Sequence, residues 1–166
     1  MPRAVTVFLP ALIGASACGY QLGAATGVQN LAVHVEDQRG LDVDAEALVA
    51  GALRRTIARG PGTSLAPDGE EEATLRVQLI DARSGLSPLA DPSLRAAQYR
   101  AEIRVVATLL GSDGRVLWRS SVLSGEASYL SRPGGLEVLD GARRSALARA
   151  AEDVAERLRA SLAFGR

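Results

Sequence analysis

Residues 98–118 read QYRAEIRVVATLLGSDGRVLW, and they carry the strongest structural signal in the chain. From Tyr99 to Leu109 every odd-numbered residue is apolar, whereas most even-numbered residues are polar or charged. A period of two predicts a β-strand with one buried face and one face toward water or a partner. The Asp113-Gly114 pair is typical of a hairpin turn, so residues 116–129 are predicted to return as the next strand.

Two further strands are predicted upstream of this hairpin. Residues 28–36 and 73–81 both alternate between apolar and polar side chains. Between those strands, apolar residues follow helical spacing from the predicted N-cap Asp44 to a stop at 60–62, a Gly-Pro-Gly sequence. The sequence therefore predicts a helix between the first two strands.

The remaining segments complete the predicted fold. Residues 63–72 and 84–93 are rich in polar residues, Pro or Gly and are predicted to be loops. From Glu137 onward a stripe of Leu, Ala and Val at helical spacing predicts a last helix of six to seven turns. The order β-α-β-β-β-α predicts an α+β two-layer sandwich, in which two helices cover one face of a four-stranded, mainly antiparallel sheet.

Composition excludes several classes of function. The chain has 166 residues and a formal net charge of zero, so a nucleic-acid binder that works by bulk charge is not expected. One Cys and one His cannot form an internal disulfide or a structural zinc site. We expect no metal, no cofactor and no nucleic-acid partner. All 19 basic residues are arginine, so every permanent cation is a planar guanidinium.

The N-terminus has the three parts of an export signal. A basic residue, Arg3, is followed by ten almost entirely apolar residues at 4–13 and then by small residues before Cys18. A stretch of ten residues is too short to cross a bilayer as a helix, which needs about 20. The small residues before the only cysteine resemble a bacterial lipoprotein signal. This resemblance implies that residues 1–17 are removed and that Cys18 is the lipid attachment residue. Residues 18–27 would then be a lipidated tether, and residues 28–166 a single α+β domain.

The residues after this cysteine extend the resemblance. Cys18-Gly19-Tyr20-Gln21-Leu22 is similar to the start of lipoproteins of the LptE family, which act in lipopolysaccharide assembly. The strand, turn and helix at 31–53, the hairpin at 99–123 and the Ala-rich helix at 144–158 also resemble that family. The resemblance implies a protein without enzymatic activity that sits at the outer membrane on its periplasmic side. It further implies that the protein plugs and helps to assemble the LptD β-barrel, and assists insertion of lipopolysaccharide into the outer leaflet.

Four arginines on predicted strands are candidates for contact with lipopolysaccharide or the barrel. Guanidinium groups bind phosphate oxygens bidentately, and lipopolysaccharide carries phosphates. The alternative is a solvated sheet face with part of its charge neutralised by Glu102. The candidates are Arg76, Arg100, Arg104 and Arg119.

Other functions have weaker support in the sequence. A different periplasmic adaptor lipoprotein, such as a cell-wall synthase activator or a transporter accessory, is the main alternative. Such adaptors commonly have a long linker, whereas residues 20–27 span at most about 28 Å. A hydrolase is not favoured, because no spacing gives His34 a nucleophilic partner and no catalytic residue is predicted. The loop carboxylates Glu70, Glu71 and Glu72 lack the spacing of calcium ligands.

Overall fold

The computed structural model describes residues 28–37, 43–60, 63–67, 69–86, 97–131 and 136–164. The predicted signal segment, Cys18 and the tether lie outside the described residues. The helices and strands, in chain order, are β1 Asn30–Glu36, α1 Val43–Arg59, β2 Ser64–Leu65, β3 Ala73–Leu86, β4 Ala97–Gly111, β5 Val116–Arg119, β6 Leu123–Ser131 and α2 Leu136–Phe164.

The predicted fold class is confirmed, with a mixed sheet of six strands rather than four. The strand order is β2-β1-β3-β4-β5, and β6 also pairs with β4. β1 runs parallel to β2 and β3, while every pair that involves β4 is antiparallel. Because β1 and β3 are parallel neighbours, the chain has to return over one face of the sheet between them, and α1 lies in this crossover connection.

Four boundaries differ from the sequence prediction. The predicted loop at 63–72 contains β2, because the Ser64 N–H bonds to the Gln29 carbonyl at 2.7 Å and aligns this short strand with β1. Residues 84–86 of the predicted loop at 84–93 belong to β3, which extends to Leu86, and the rest of that segment lies outside the described residues. The predicted strand at 116–129 is two strands, β5 and β6. Helix α2 has 29 residues, which is about eight turns rather than six to seven.

A buried serine explains the break between β5 and β6. The Ser120 hydroxyl accepts a hydrogen bond from the Ala107 N–H at 2.9 Å, and the Ser120 N–H bonds back to the Ala107 carbonyl at 2.9 Å. The Ser120 hydroxyl thus takes the place of a backbone carbonyl as the hydrogen-bond acceptor for the Ala107 N–H. The chain can therefore leave β4 at residues 120–122 while this N–H keeps a partner. The hydrophobic pattern of the sequence does not predict this strand break, because Ser120 lies among ordinary polar residues.

The core lies between the sheet and the two helices. The odd-numbered residues of β4 from Ala101 to Leu109 are fully buried, as the alternation predicts, and Tyr99 is half-buried. Two ion pairs show that the helices run parallel to each other. Asp44 at the start of α1 pairs with Arg144 at 3.1 Å, and Arg55, further along α1, pairs with Glu152, further along α2, at 3.5 Å. The largest fully buried side chains are Leu53, Leu75, Leu79, Ile103, Leu109, Leu147 and Leu158.

Helix α2 approaches β6 so closely that one position has no room for a side chain. A Cβ atom at Gly125 would clash with the Ala150 carbonyl oxygen and would lie 2.7 Å from both N and Cγ2 of Val154. Alanines at 146, 150, 151 and 155 on the facing side of α2 are all buried, so small residues on both elements allow this approach.

Side chains from the helices close both long edges of the sheet. Arg54 of α1 donates to the Val33 carbonyl at 3.4 Å on the β1 edge. On the β6 edge, Arg149 donates to the Ser128 carbonyl at 3.0 Å, and Asp153 accepts from the Glu126 N–H at 3.2 Å. Unpaired edge groups are templates for aggregation, so these contacts oppose edge-to-edge pairing with another chain.

The Gly125→Ala substitution should destabilise the fold strongly. The added methyl group meets backbone atoms of α2, so the helix has to shift as a unit, and we expect a loss of about 2–3 kcal/mol in the free energy of unfolding. Urea unfolding measures the loss. Gly85→Ala is the matched control in a strand, because no heavy atom lies within 4 Å of its added Cβ. Equal stability of the two variants would contradict the close-packing argument.

Stability should depend on pH through Asp153. The hydrogen bond from Arg157, at 2.9 Å, holds the pKa of this carboxyl below its ordinary value. Partial burial raises the pKa, and the hydrogen bond from the Glu126 N–H lowers it further. A pKa that is lower in the folded state stabilises the fold well above pH ~4, and this contribution is lost as the pH falls through the folded-state pKa.

We therefore expect Asp153→Ala to cost about 1 kcal/mol at neutral pH and less in acid. The measurement is urea unfolding of wild type and variant at neutral pH and at successively lower pH. Glu156→Ala is the control, because Glu156 forms an ion pair with Arg159 within the same helix. A difference that stays constant with pH would refute the role of the ionised Asp153 carboxylate.

Candidate partner-binding surface

Both helices pack on one face of the sheet and leave the other face open. Even-numbered side chains of β4 point to this open face, and they are half-buried by their neighbours on adjacent strands. Because side chains alternate along a strand, the buried odd positions and the open even positions follow from the same pattern. We call this surface the open face.

All four candidate arginines lie on the open face. Arg76 is on β3, Arg100 and Arg104 are on β4, and Arg119 is on β5. The alternating pattern predicted this face for Arg76, Arg100 and Arg104, whereas it made no such prediction for Arg119. It could not show which ones are neighbours, because that depends on the register between strands.

The register brings two of these arginines into one row across the sheet. Thr108 of β4 is opposite Arg76 on one side and opposite Arg119 on the other, and His34 of β1 is opposite Arg76. His34, Arg76 and Arg119 are all exposed. We call the row of His34, Arg76, Thr108 and Arg119 the cation row, after its two arginines. His34 was expected only as a surface strand residue, and its place in this row could not be read from one sequence.

The cation row contains guanidinium groups without carboxylate partners in the described part of the chain. Arg119 Nε donates a long hydrogen bond of 3.4 Å to the Thr108 hydroxyl. Among the residues with defined positions, no carboxylate oxygen lies within 4.0 Å of Arg76 or Arg119. Guanidinium groups without a carboxylate partner can bind an anion such as a phosphate.

The other half of the open face is neutralised by ion pairs. Arg83 Nε donates to Glu102 Oε2 at 2.9 Å and also lies 3.6 Å from Asp81, and the bond to Glu102 raises the pKa of Arg83 above its ordinary value. Arg100 pairs with Glu126 at 3.2 Å. Of the four candidates, Arg100 is therefore the one already paired, and Glu102 neutralises Arg83 rather than the arginines beside it.

Arg83 itself was missed because of a β-bulge. The register between β3 and β4 shifts between Leu79 and Asp81, so Ile80 is an extra residue. The shift moves odd-numbered residues of β3 from the buried face to the open face, and it places Asp81 and Arg83 beside β4. Arg104 lies opposite Asp81 and is half-buried on the open face.

The described residues contain neither a metal-ligand cluster nor a membrane-spanning helix. No cluster of three or more His, Cys, Asp or Glu side chains in the described ranges could hold a metal ion. None of the described helices contains a stretch that is both long enough and apolar enough to cross a membrane.

Solved structures share this fold. A candidate lipoprotein from Caulobacter crescentus superposes with a TM-score of 0.60 at 15% identity, covering 87% of this chain and 93% of that chain. A protein from Xanthomonas campestris gives 0.59 at 15% identity, with coverage of 83% and 85%. The minor lipoprotein from Acinetobacter baumannii gives 0.52 at 12% identity, with coverage of 82% and 92%. At these identities the likeness shows the fold alone.

A comparison with protein families is more specific. A search among curated proteins finds no match to the sequence. A family model described as LptE, lipopolysaccharide-assembly, matches residues 28–162, which include every described helix and strand except the last two residues of α2. This match agrees with the resemblance seen around Cys18 and along the domain. The chain belongs to the LptE family of lipopolysaccharide-assembly lipoproteins.

Proposed function

We propose that the chain is an outer-membrane lipoprotein that occupies the lumen of an LptD-like β-barrel and assists insertion of lipopolysaccharide into the outer leaflet. The observation that carries this proposal is the open face, a sheet surface that neither described helix covers and that carries the cation row, in a member of the LptE family. The protein is proposed to work as a plug and binding surface without catalysing a reaction.

The open face suits the lumen of a barrel. Barrel interiors are polar, in contrast to the apolar band that faces lipid. On the open face, ion pairs between Arg83 and Glu102 and between Arg100 and Glu126 keep one half nearly neutral. A mixed, hydrogen-bonding surface of this kind can pair with polar lumen side chains without burying an unpaired charge.

The cation row suits the phosphates of lipopolysaccharide. Arg76 and Arg119 flank Thr108 from the strands on either side of β4, so a ligand with several phosphates can meet both guanidinium groups. Such charge-assisted bonds are roughly twice as strong as neutral ones. Arg104 is the nearest further cation on β4, whereas Arg100 is engaged by Glu126 and is expected to contribute less.

Anchoring is proposed to come from acylation of Cys18 after removal of residues 1–17. Each methylene of an acyl chain contributes about 0.8 kcal/mol to membrane binding, so two or three chains hold a protein at the membrane. The short tether at 20–27 keeps the domain within about 28 Å of the acylated residue. A partner embedded in the same membrane is therefore favoured over one across the periplasm.

Replacement of Cys18 by Ala should release the protein from membranes. Without the thiol no lipid can be attached. When the chain is expressed in large excess over the barrel, whose lumen then holds only a small part of it, we expect it to move from the membrane pellet to the soluble fraction. Fractionation and immunoblotting of a C-terminally tagged chain measure this. The double variant Cys18→Ala/Ala24→Cys restores a thiol six residues later and should also be soluble. Unchanged membrane fractionation of Cys18→Ala would disprove the lipid attachment.

The partner proposal predicts co-purification from detergent extracts. Tagged wild-type protein should bring down a large LptD-type barrel together with lipopolysaccharide. The variant Arg76→Gln/Arg119→Gln should retain the barrel but bind lipopolysaccharide about tenfold more weakly, because two exposed charge-assisted contacts are lost. Binding by the purified wild type and the double variant is measured with lipopolysaccharide and with dephosphorylated lipopolysaccharide. The two proteins should bind the dephosphorylated form equally.

A matched control and two opposing outcomes complete this test. Arg55→Gln changes an exposed arginine on the helix layer, where it pairs with Glu152, and should leave lipopolysaccharide binding unchanged. Purification without any barrel would contradict the plug. Equal loss of lipopolysaccharide binding in Arg55→Gln and in the double variant would show that the cation row has no special part.

A further inference from the structure

Two large apolar residues that are consecutive in the sequence are both exposed on β5, next to the hairpin turn. Val116 is 53% exposed and Leu117 is 41% exposed. We call this pair the β5 tip. The turn before it is tight, since Gly114 has a φ of 77° and the Gly114 N–H bonds to the Gly111 carbonyl at 2.8 Å. The turn therefore holds the β5 tip at the end of the sheet.

The β5 tip lies at the end of the domain where the tether enters. The Gln29 N–H donates to Glu72 Oε2 at 2.9 Å, and the Glu72 N–H donates to the Asn30 carbonyl at 3.0 Å. The Ser112 N–H of the hairpin turn donates to the Glu72 carbonyl at 3.1 Å. One residue, Glu72, thus joins the first residues after the tether to the hairpin that carries the tip.

We propose that the β5 tip inserts Val116 and Leu117 into the interfacial layer of the bilayer that holds the acylated Cys18. This inference rests on the proposed lipid anchor. The tether at 20–27 spans at most about 28 Å, so the anchored domain stays beside the membrane surface. A tethered contact forms at a high effective concentration, and a weak apolar contact is then occupied much of the time.

Charges around the β5 tip indicate the kind of lipid. Arg115 directly precedes the two apolar residues, and its Nε lies 3.9 Å from Asp113 Oδ2, so this carboxylate offsets its charge. Asp113, Glu70 and Glu71 are exposed at the same end and repel anionic headgroups. The surface therefore fits a zwitterionic phospholipid bilayer better than a strongly anionic one.

The test uses the mature chain with an artificial anchor. Residues 19–166 carry an N-terminal hexahistidine tag and bind to phosphatidylcholine–phosphatidylethanolamine vesicles that contain a nickel-chelating lipid. Because residues 19–166 contain no cysteine, Leu117→Cys gives a single site for an environment-sensitive fluorophore. We expect a blue shift, a several-fold rise in emission and protection from an aqueous quencher once the tag is bound to vesicles.

The matched control is the same fluorophore at Leu130→Cys. Leu130 is 61% exposed and pairs with Gln98, at the opposite end of β4 and roughly 40 Å from the hairpin turn. Its emission should not change on vesicles. No change at position 117, or an equal change at position 130, overturns the proposal. A stronger response on vesicles with added phosphatidylglycerol also overturns the preference for zwitterionic lipid.

A second pair of variants tests the contact without a fluorophore. Val116→Ser/Leu117→Ser should lower the fraction of hexahistidine-anchored protein that is protected from protease cleavage near the hairpin, whereas Val122→Ser/Leu130→Ser should not. Val122 is 47% exposed, so both pairs remove similar exposed apolar groups. Equal protection of the two variants would refute the contact. Since the tag replaces the acyl group, these results do not depend on whether Cys18 is acylated.

Discussion

The close approach of α2 to β6 at Gly125 sets the thickness of the whole two-layer fold. The carbonyl of Ala150 and the backbone of Val154 occupy the space where a Cβ atom would be, so the helix lies directly on the strand. The buried alanines of α2 extend this close packing along the helix. Dense packing of small residues leaves no gap in which a shifted helix could settle, so the second layer has one position relative to the sheet.

That fixed position determines which surfaces remain for partners. With α2 over β6 and α1 over β1, the side chains of Arg149, Asp153 and Arg54 reach the backbone groups at the two sheet edges. A partner strand would have to displace these bonds before it could extend the sheet. The open face and the β5 tip carry no such cover from the helices, which is why both proposed interactions are located there.

The sequence predicted the fold class, the order of the long elements and the sheet face on which Arg76, Arg100 and Arg104 lie. These follow from periodicity, because burial on one side enforces the alternation in β4. Three features did not follow, because they depend on contacts distant in sequence. Ser120 breaks a strand by bonding to Ala107, Ile80 reverses the faces of β3, and Ser64 pairs with β1. Each leaves the local polarity pattern nearly unchanged.

The same limit explains why the candidate site could be located on the open face but not assembled from sequence. A neutral chain with 19 arginines and 19 carboxylates could have paired them all. The register instead puts Arg83 and Arg100 beside carboxylates, and leaves Arg76 and Arg119 on either side of a threonine. Cross-strand neighbours interact at close range whereas distant exposed charges are screened, so this local imbalance persists although the net charge is zero. An anionic partner therefore meets two guanidinium groups that have no carboxylate partner among the described residues, which is a property of strand register and not of composition.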